Sequence, residues 1–115
     1  ERGEQFGKAL EHFILMEILA HRAYGELGYD VNFWRAKSGL EVDFVLGRGE
    51  VAIEVKGSSR IEGADLRSLK AFIEAYHPKK AFIVCNERRS RVHEDIHIQP
   101  WREFLTMLWN GLVIS

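Results

Sequence analysis

The sequence is poor in cysteine and proline, and it contains no long apolar run. Its single cysteine, Cys85, directly follows the apolar run Ala81–Val84. A lone cysteine excludes a framework of internal disulfides, so we expect a buried thiol in a protein of the reducing cytoplasm. No stretch approaches the roughly 20 apolar residues of a membrane span. The first residues also lack the layout of a secretory signal peptide.

An excess of positive charge is lacking as well, because the formal net charge is −1. Proteins that bind nucleic acid through its backbone draw affinity from lysine and arginine. The balance therefore argues against an autonomous DNA-binding module and leaves room only for local basic patches. Arg35, Lys37, Lys56 and Arg60 form one such set, and a second set follows Cys85 in a loop that is more typical of solvated surface: Arg88, Arg89 and Arg91.

The bulk composition predicts one globular domain over residues 1–115. Hydrophobic residues make up 46% of the chain and charged residues 29%, which is typical of a compact fold. No glycine-rich phosphate loop followed by Lys-Ser or Lys-Thr is present, so an ATPase, if one belongs to the protein, lies outside these residues. Residue 1 is Glu rather than Met, and we expect the chain to be a piece of a longer protein.

Charged residues alternate with apolar ones in two short runs that a turn separates. Glu41-Val42-Asp43-Phe44 comes first, and Ile53-Glu54-Val55-Lys56 follows after Gly47–Glu50. Period-two alternation on either side of turn residues predicts a β-hairpin. A two-residue turn at its centre or a four-residue loop gives the same register, in which opposed positions sum to 97. One face then carries only apolar residues and is core: Val42, Phe44, Leu46, Val51, Ile53 and Val55.

The other face of this hairpin places Asp43 opposite Glu54, and Glu41 opposite Lys56. Like charges directly across a strand pair are destabilising, so a positive group is expected between the two acids. Lys56 is one candidate, and a divalent metal ion is the other, because Mg²⁺ prefers carboxylate oxygens. A solvated charged face with a Lys–Glu pair is the plainer interpretation.

The order of predicted elements indicates an α/β fold with a mixed central sheet flanked by helices. Helices are expected at 4–24, 64–76 and 101–110, and Gly3 and Gly7 allow a close backbone approach by the first. Three antiparallel strands precede the second helix, and a parallel crossover follows it. The remaining strands are expected at 80–85 and 96–98, with 112–114 as a final short strand or the start of something absent.

An acid on one strand and an acid-x-lysine on the next resemble the PD-(D/E)XK nuclease motif, here Asp43, Glu54 and Lys56. Glu11 stands where family members often add a helical glutamate, although a surface carboxylate is an equal interpretation. The Ser38-Gly39 step resembles archaeal Holliday-junction resolvases. Over most of its length the chain is most similar to the uncharacterised nuclease-like domain at the C-terminal end of certain AAA-type ATPases. The resemblance implies a restriction-endonuclease-like αβββαβ core.

The resemblance also implies roles for individual residues. Asp43 and Glu54, with the Val55 carbonyl and Glu11, would hold Mg²⁺ or Mn²⁺, and Lys56 would act on the attacking water or on the developing charge. Arg35, Lys37, Ser38 and Arg60 would contact DNA. The expected function is metal-dependent hydrolysis of DNA beside an ATPase module, with a second copy of the chain as a further partner. The alternative is a catalytically silent module that keeps the nuclease fold for binding or assembly.

Overall fold

The computed structural model describes residues 2–115. Three α-helices and six strands are present in that range. The helices are α1 (Arg2–Tyr24), α2 (Arg67–Tyr76) and α3 (Trp101–Trp109), and a 3-10 turn, Gly63–Leu66, leads into α2. The strands are β1 (Val31–Arg35), β2 (Glu41–Leu46), β3 (Val51–Val55), β4 (Lys80–Cys85), β5 (Arg91–His93) and β6 (Ile96–Pro100).

The strands form one mixed sheet in the order β1-β2-β3-β4-β6-β5. Strands β1 to β3 are antiparallel, whereas β4 lies parallel to β3 and β6 parallel to β4. The predicted mixed α/β architecture and the parallel crossover through α2 are confirmed. The short exposed strand β5 was not predicted, and of the two interpretations of residues 112–114 the final strand is wrong. None of the helices within residues 2–115 has the length and apolar composition that a membrane crossing needs.

Helices cover both faces of the sheet and divide the core in two. On one face α1 and α3 pack against the strands with the buried side chains Leu10, Ile14, Ile18, Phe44, Leu46, Val51, Ile53, Val55, Phe82, Val84, Phe104 and Leu108. On the other face α2 packs with Val42, Val45, Ala52, Leu69, Phe72, Ala81, Ile83, Cys85, Ile96 and Ile98. Cys85 is fully buried, as its apolar surroundings predicted.

The apolar side chains of α1 are only in part buried. An apolar composition on more than one side predicts burial by more than one layer. Within the described residues, α1 buries Leu10, Ile14 and Ile18, and the Phe13 ring packs edge-to-face on Trp101 of α3 at 5.9 Å. Phe6, Phe13 and Met16 nevertheless stay exposed.

The hairpin register is the predicted one near the turn, with Phe44 opposite Ile53 and Leu46 opposite Val51. The predicted faces fail at Val42, which packs with Val45 and α2 rather than with Phe44. The cause is a bulge. Asn32 pairs with Val45 but Trp34 pairs with Val42, so two β2 residues, Asp43 and Phe44, stand against one residue of β1. Such a bulge bends the strand and changes the face of the residues beyond it.

Two glycines bring α1 against the end of β3. A Cβ added to Gly57 would lie 2.8 Å from the Gly7 Cα and 3.1 Å from the carbonyl oxygen of Gly3. The first helix therefore makes the predicted close backbone approach. Its partner is Gly57, the residue directly after Lys56. Because Glu11 lies one helical turn beyond Gly7, this contact sets how near Glu11 comes to the hairpin.

We predict that Gly57→Ala lowers the free energy of unfolding by about 1–3 kcal/mol, because overpacking a close contact costs about that much. Gly7→Ala is the matched control, since its added Cβ would meet Gly57 N at an ordinary 3.5 Å. Alanine also favours a helix over glycine by up to about 1 kcal/mol. Urea unfolding followed by circular dichroism measures both variants, and equal stabilities would contradict the close contact.

Candidate metal and catalytic site

Asp43 is fixed at the point where the backbone pairing of β2 and β3 ends. The Val55 N–H donates a 2.7 Å hydrogen bond to Asp43 Oδ2. The next N–H along the chain, that of Lys56, donates to the Val84 carbonyl on β4 at 2.9 Å. Since successive N–H groups of a strand point to opposite sides, the Val55 N–H points towards β2, where the carboxylate receives it. Asp43 Oδ1 takes no part in this hydrogen bond.

Glu54 is a buried acid with one oxygen paired and one orphaned. Its side chain retains about 5% exposure, and its Oε2 lies 3.3 Å from the Lys56 ammonium. None of the described residues donates a hydrogen bond to Glu54 Oε1, although this atom is buried. A buried carboxylate oxygen without a partner is costly, so a proton or a cation is needed at this position.

Burial raises the pKa of both acids. The pKa of Asp43 rises to about 6, chiefly through desolvation and further through the negative charge of Glu11, while the Val55 N–H acts in the opposite direction. The pKa of Glu54 rises to about 7, again chiefly through desolvation; Lys56 lowers it, and the negative charge of Asp43 raises it. Asp43 is therefore close enough to act on the ionisation of Glu54, and these two residues are the carboxylate pair.

Glu11 approaches Asp43 from α1 but does not complete a metal cage. Its charge acts on the pKa of Asp43 and is absent from the influences on Glu54. Within residues 2–115, no group of three or more His, Cys, Asp or Glu side chains stands ready to hold a metal ion. The predicted three-carboxylate set is thus present as the carboxylate pair with Glu11 to one side.

Glu41 does not oppose Lys56 as the hairpin register predicted. The bulge turns Glu41 towards β1, where it pairs with Arg35 at 2.7 Å from Nε to Oε1. Lys56 instead continues the ladder with β4 and pairs with Glu54. The ammonium group therefore contacts Oε2 of the buried acid, and Oε1 stays without a partner among the described residues.

The four predicted nucleic-acid contacts fall in different places. Arg35 lines a groove of about 270 Å³ together with Glu11 and Asp43. Lys37 and Ser38 lie exposed in the turn between β1 and β2 and do not line that groove. Arg60 lies exposed in the loop after β3, where its charge acts on Glu87. Only Arg35 is brought directly to the carboxylates.

Two further features were missed by the sequence reasoning. Phe33 also lines the groove. The sequence gave no sign of this position, because an aromatic residue in a strand is typical of the core. Arg91, from the basic set treated as solvated surface, binds both Glu87 at 2.9 Å and the Ile61 carbonyl at 3.1 Å. The Ile61 N–H in turn donates to Glu87 at 2.7 Å. This clamp holds the loop that follows Lys56.

Comparison with known families gives one result. The profile of a family described as a domain of unknown function (DUF4143) matches residues 6–104. The chain belongs to this family. The matched range includes the carboxylate pair, Glu11 and Lys56. Neither the comparison with curated proteins nor that with solved structures gave a match.

The donor set of this DUF4143 domain fits a divalent metal ion. Two carboxylates are hard oxygen donors, and one of their oxygens, Glu54 Oε1, is buried without a hydrogen-bond donor. Mg²⁺ is ordinarily held by one or two carboxylates and keeps several waters. Asp43 and Glu54 are therefore the residues that would hold such an ion.

In metal-free buffer, we predict that the free energy of unfolding falls as pH rises from about 4 to about 7. The folded-state pKa values of Asp43 and Glu54, about 6 and about 7, exceed their ordinary values of 3.8 and 4.5. The native protein thus holds protons in this window that the unfolded chain has released. Glu54→Gln removes one of these groups and should be more stable than wild type at pH 8 by about 1–3 kcal/mol, at about 1.4 kcal/mol per pKa unit.

Urea unfolding with a chelator at pH 5 and pH 8 measures this difference. Glu41→Gln is the control, because this exposed acid has its partner in Arg35 and exposed pairs contribute at most about 1 kcal/mol. A Glu54→Gln variant that is less stable than wild type at pH 8 would show that the buried acid is not strained when ionised.

Proposed function

We propose that this domain hydrolyses DNA phosphodiesters with the help of Mg²⁺ or Mn²⁺, as the nuclease part of an ATPase-linked protein. The observation that carries the proposal is the buried Glu54 carboxylate, with one oxygen on the Lys56 ammonium at 3.3 Å and the other unpartnered. Asp43 lies beside it. The resemblance to the PD-(D/E)XK motif assigns roles to the same three residues. The lone buried Cys85 supports a cytoplasmic location.

The chain's own groups suit the reaction. Asp43 is oriented by the Val55 N–H and Glu54 by Lys56, so both carboxylates are held before a ligand arrives. The Lys56 ammonium has three donors and would orient the attacking water or stabilise the negative charge that develops on the phosphate. A bound divalent ion would supply Lewis acidity and charge neutralisation. Water oxygen joins phosphorus, the ester P–O bond breaks, and the leaving oxygen takes a proton.

Substrate affinity of the isolated domain is expected to be low. The net charge is −1, and phosphate contacts depend on lysine and arginine. Arg35, Lys37, Ser38 and Arg60 remain the proposed DNA contacts, and Arg35 lines the same groove as Asp43. We infer that the ATPase module, or a second copy of the chain, supplies the remaining affinity.

Cleavage assays test the proposal directly. Wild type should cut DNA from a panel of duplex, forked and single-stranded forms in Mg²⁺ or Mn²⁺ and lose activity in a chelator. Asp43→Ala and Lys56→Ala should each lower the rate at least about 100-fold, the lower limit for loss of one catalytic group. Arg89→Ala, in the exposed loop after β4, is the control and should retain activity. Activity that survives both site substitutions would refute the assignment.

The alternative function is a silent module that keeps the fold for binding or assembly. Two observations favour it: the described residues hold no ready three-ligand metal group, and the charge balance is unfavourable for DNA. Calorimetric titration with Mn²⁺ separates the two functions. A nuclease should bind the ion in wild type and lose that binding in Asp43→Asn, which preserves side-chain size. Absence of binding with both carboxylates intact would favour the silent module.

A further inference from the structure

Phe33 is a large aromatic side chain that the core does not use. It is 69% exposed, although it lies in the middle of β1. Its neighbour Trp34 is accounted for, because it packs edge-to-face on Phe72 of α2 at 5.5 Å. Successive side chains of a strand point to opposite faces, so Phe33 points towards the face that α1 covers. Burial therefore gives no reason for a phenyl ring at this position.

The surroundings of Phe33 are those of a ligand site. The ring lines the groove of about 270 Å³ that Glu11 and Asp43 also line. It stands opposite the bulge formed by Asp43 and Phe44, as the register of β1 on β2 requires. Among residues 2–115, no strand lies beyond β1 at this edge of the sheet, which leaves this side of the groove open to a ligand.

The charges around the ring favour a neutral flat ligand over a phosphate. The Arg35 guanidinium lies 5.9 Å from the centroid of the Phe33 ring, but its charge is taken up by Glu41 at 2.7 Å. Glu11 and Asp43 add further carboxylates to the lining. Away from a metal ion at the carboxylate pair, such a groove repels phosphate oxygens, and the Glu11 carboxylate is an acceptor for exocyclic amino groups of the kind that bases carry.

We infer that this groove, lined by Phe33, Arg35, Glu11 and Asp43, seats one unpaired nucleobase on the Phe33 ring. The groove, of about 270 Å³, has room for the flat ring of one base against Phe33. The inference rests on the proposed function and specifies it: the substrate is a strand with an unpaired nucleotide next to the phosphate at the carboxylate pair.

The stacking contact makes the inference measurable. Stacking of a base on an aromatic side chain typically contributes enough for alanine substitution to weaken binding about 5- to 100-fold. Phe33→Ala should therefore weaken binding of a fluorescent single-stranded oligonucleotide by that factor and leave binding of a blunt duplex unchanged. Phe33→Trp should restore the affinity. Phe33→Leu keeps apolar bulk without a flat ring and should behave like alanine, which separates stacking from a loss of folding.

Tyr24→Ala is the matched control, because Tyr24 is an exposed aromatic residue, 86% exposed, at the end of α1. It should change neither affinity. Fluorescence anisotropy with Mg²⁺ at low salt measures binding, and cleavage of a forked and a blunt DNA is followed in parallel. Wild type that cleaves, with Phe33→Ala and Phe33→Leu equal to it on both DNAs, would overturn the base site while leaving the nuclease.

Two other outcomes are informative. Binding of single strands that depends on Phe33, without any cleavage, would support the base site and refute the hydrolytic function. Wild type that neither binds single strands nor cleaves would overturn both.

Discussion

The hydrogen bond from the Val55 N–H to Asp43 is the interaction on which the candidate site depends. An antiparallel ladder would have continued past Phe44 and Ile53, but the bulge at Asp43 ends it and a side-chain oxygen takes the place of a main-chain carbonyl at 2.7 Å. The same bulge moves Val42 into the core on the α2 side. It also turns Glu41 away from Lys56 and towards Arg35. The bulge therefore places Glu41 in an ion pair with Arg35 and leaves Asp43 and Glu54 as the carboxylates of the candidate site.

The second constraint is the glycine contact that brings α1 to the hairpin. Without a Cβ on Gly57, the backbone of α1 at Gly7 comes close to the residue after Lys56. Glu11 is consequently near enough to act on Asp43 but not on Glu54. The Arg91–Glu87 clamp fixes the loop that leaves the same point. The bulge and the glycine contact thus position the carboxylates, and burial raises the pKa of both members of the carboxylate pair. Asp43 also lines the groove, and a perturbed carboxylate in such a position is typical of functional sites.

The sequence was informative wherever local periodicity and turn chemistry decide the outcome. The α2 crossover, strand Lys80–Cys85 and the hairpin register near the turn follow from such local signals. The bulge does not follow from local signals, because Glu41–Leu46 alternates as a regular strand would. It depends on the Val55 N–H of another strand, which donates to the Asp43 side chain at this point. Strand β5 escaped prediction because its three residues are exposed and owe their pairing to β6. Phe33 gives no signal of its position, since an aromatic residue in a strand does not show which face will be left open.

A manganese-soaked crystal structure tests most directly whether the carboxylate pair is a metal site. The account predicts one anomalous-scattering peak between Asp43 and Glu54, within about 2.3 Å of an oxygen of each, as expected for a small divalent cation. Glu54 Oε1 should be among its ligands, because this atom is buried without a donor among the described residues. A structure at neutral pH and high Mn²⁺ with both carboxylates ordered and no peak between them would contradict the account.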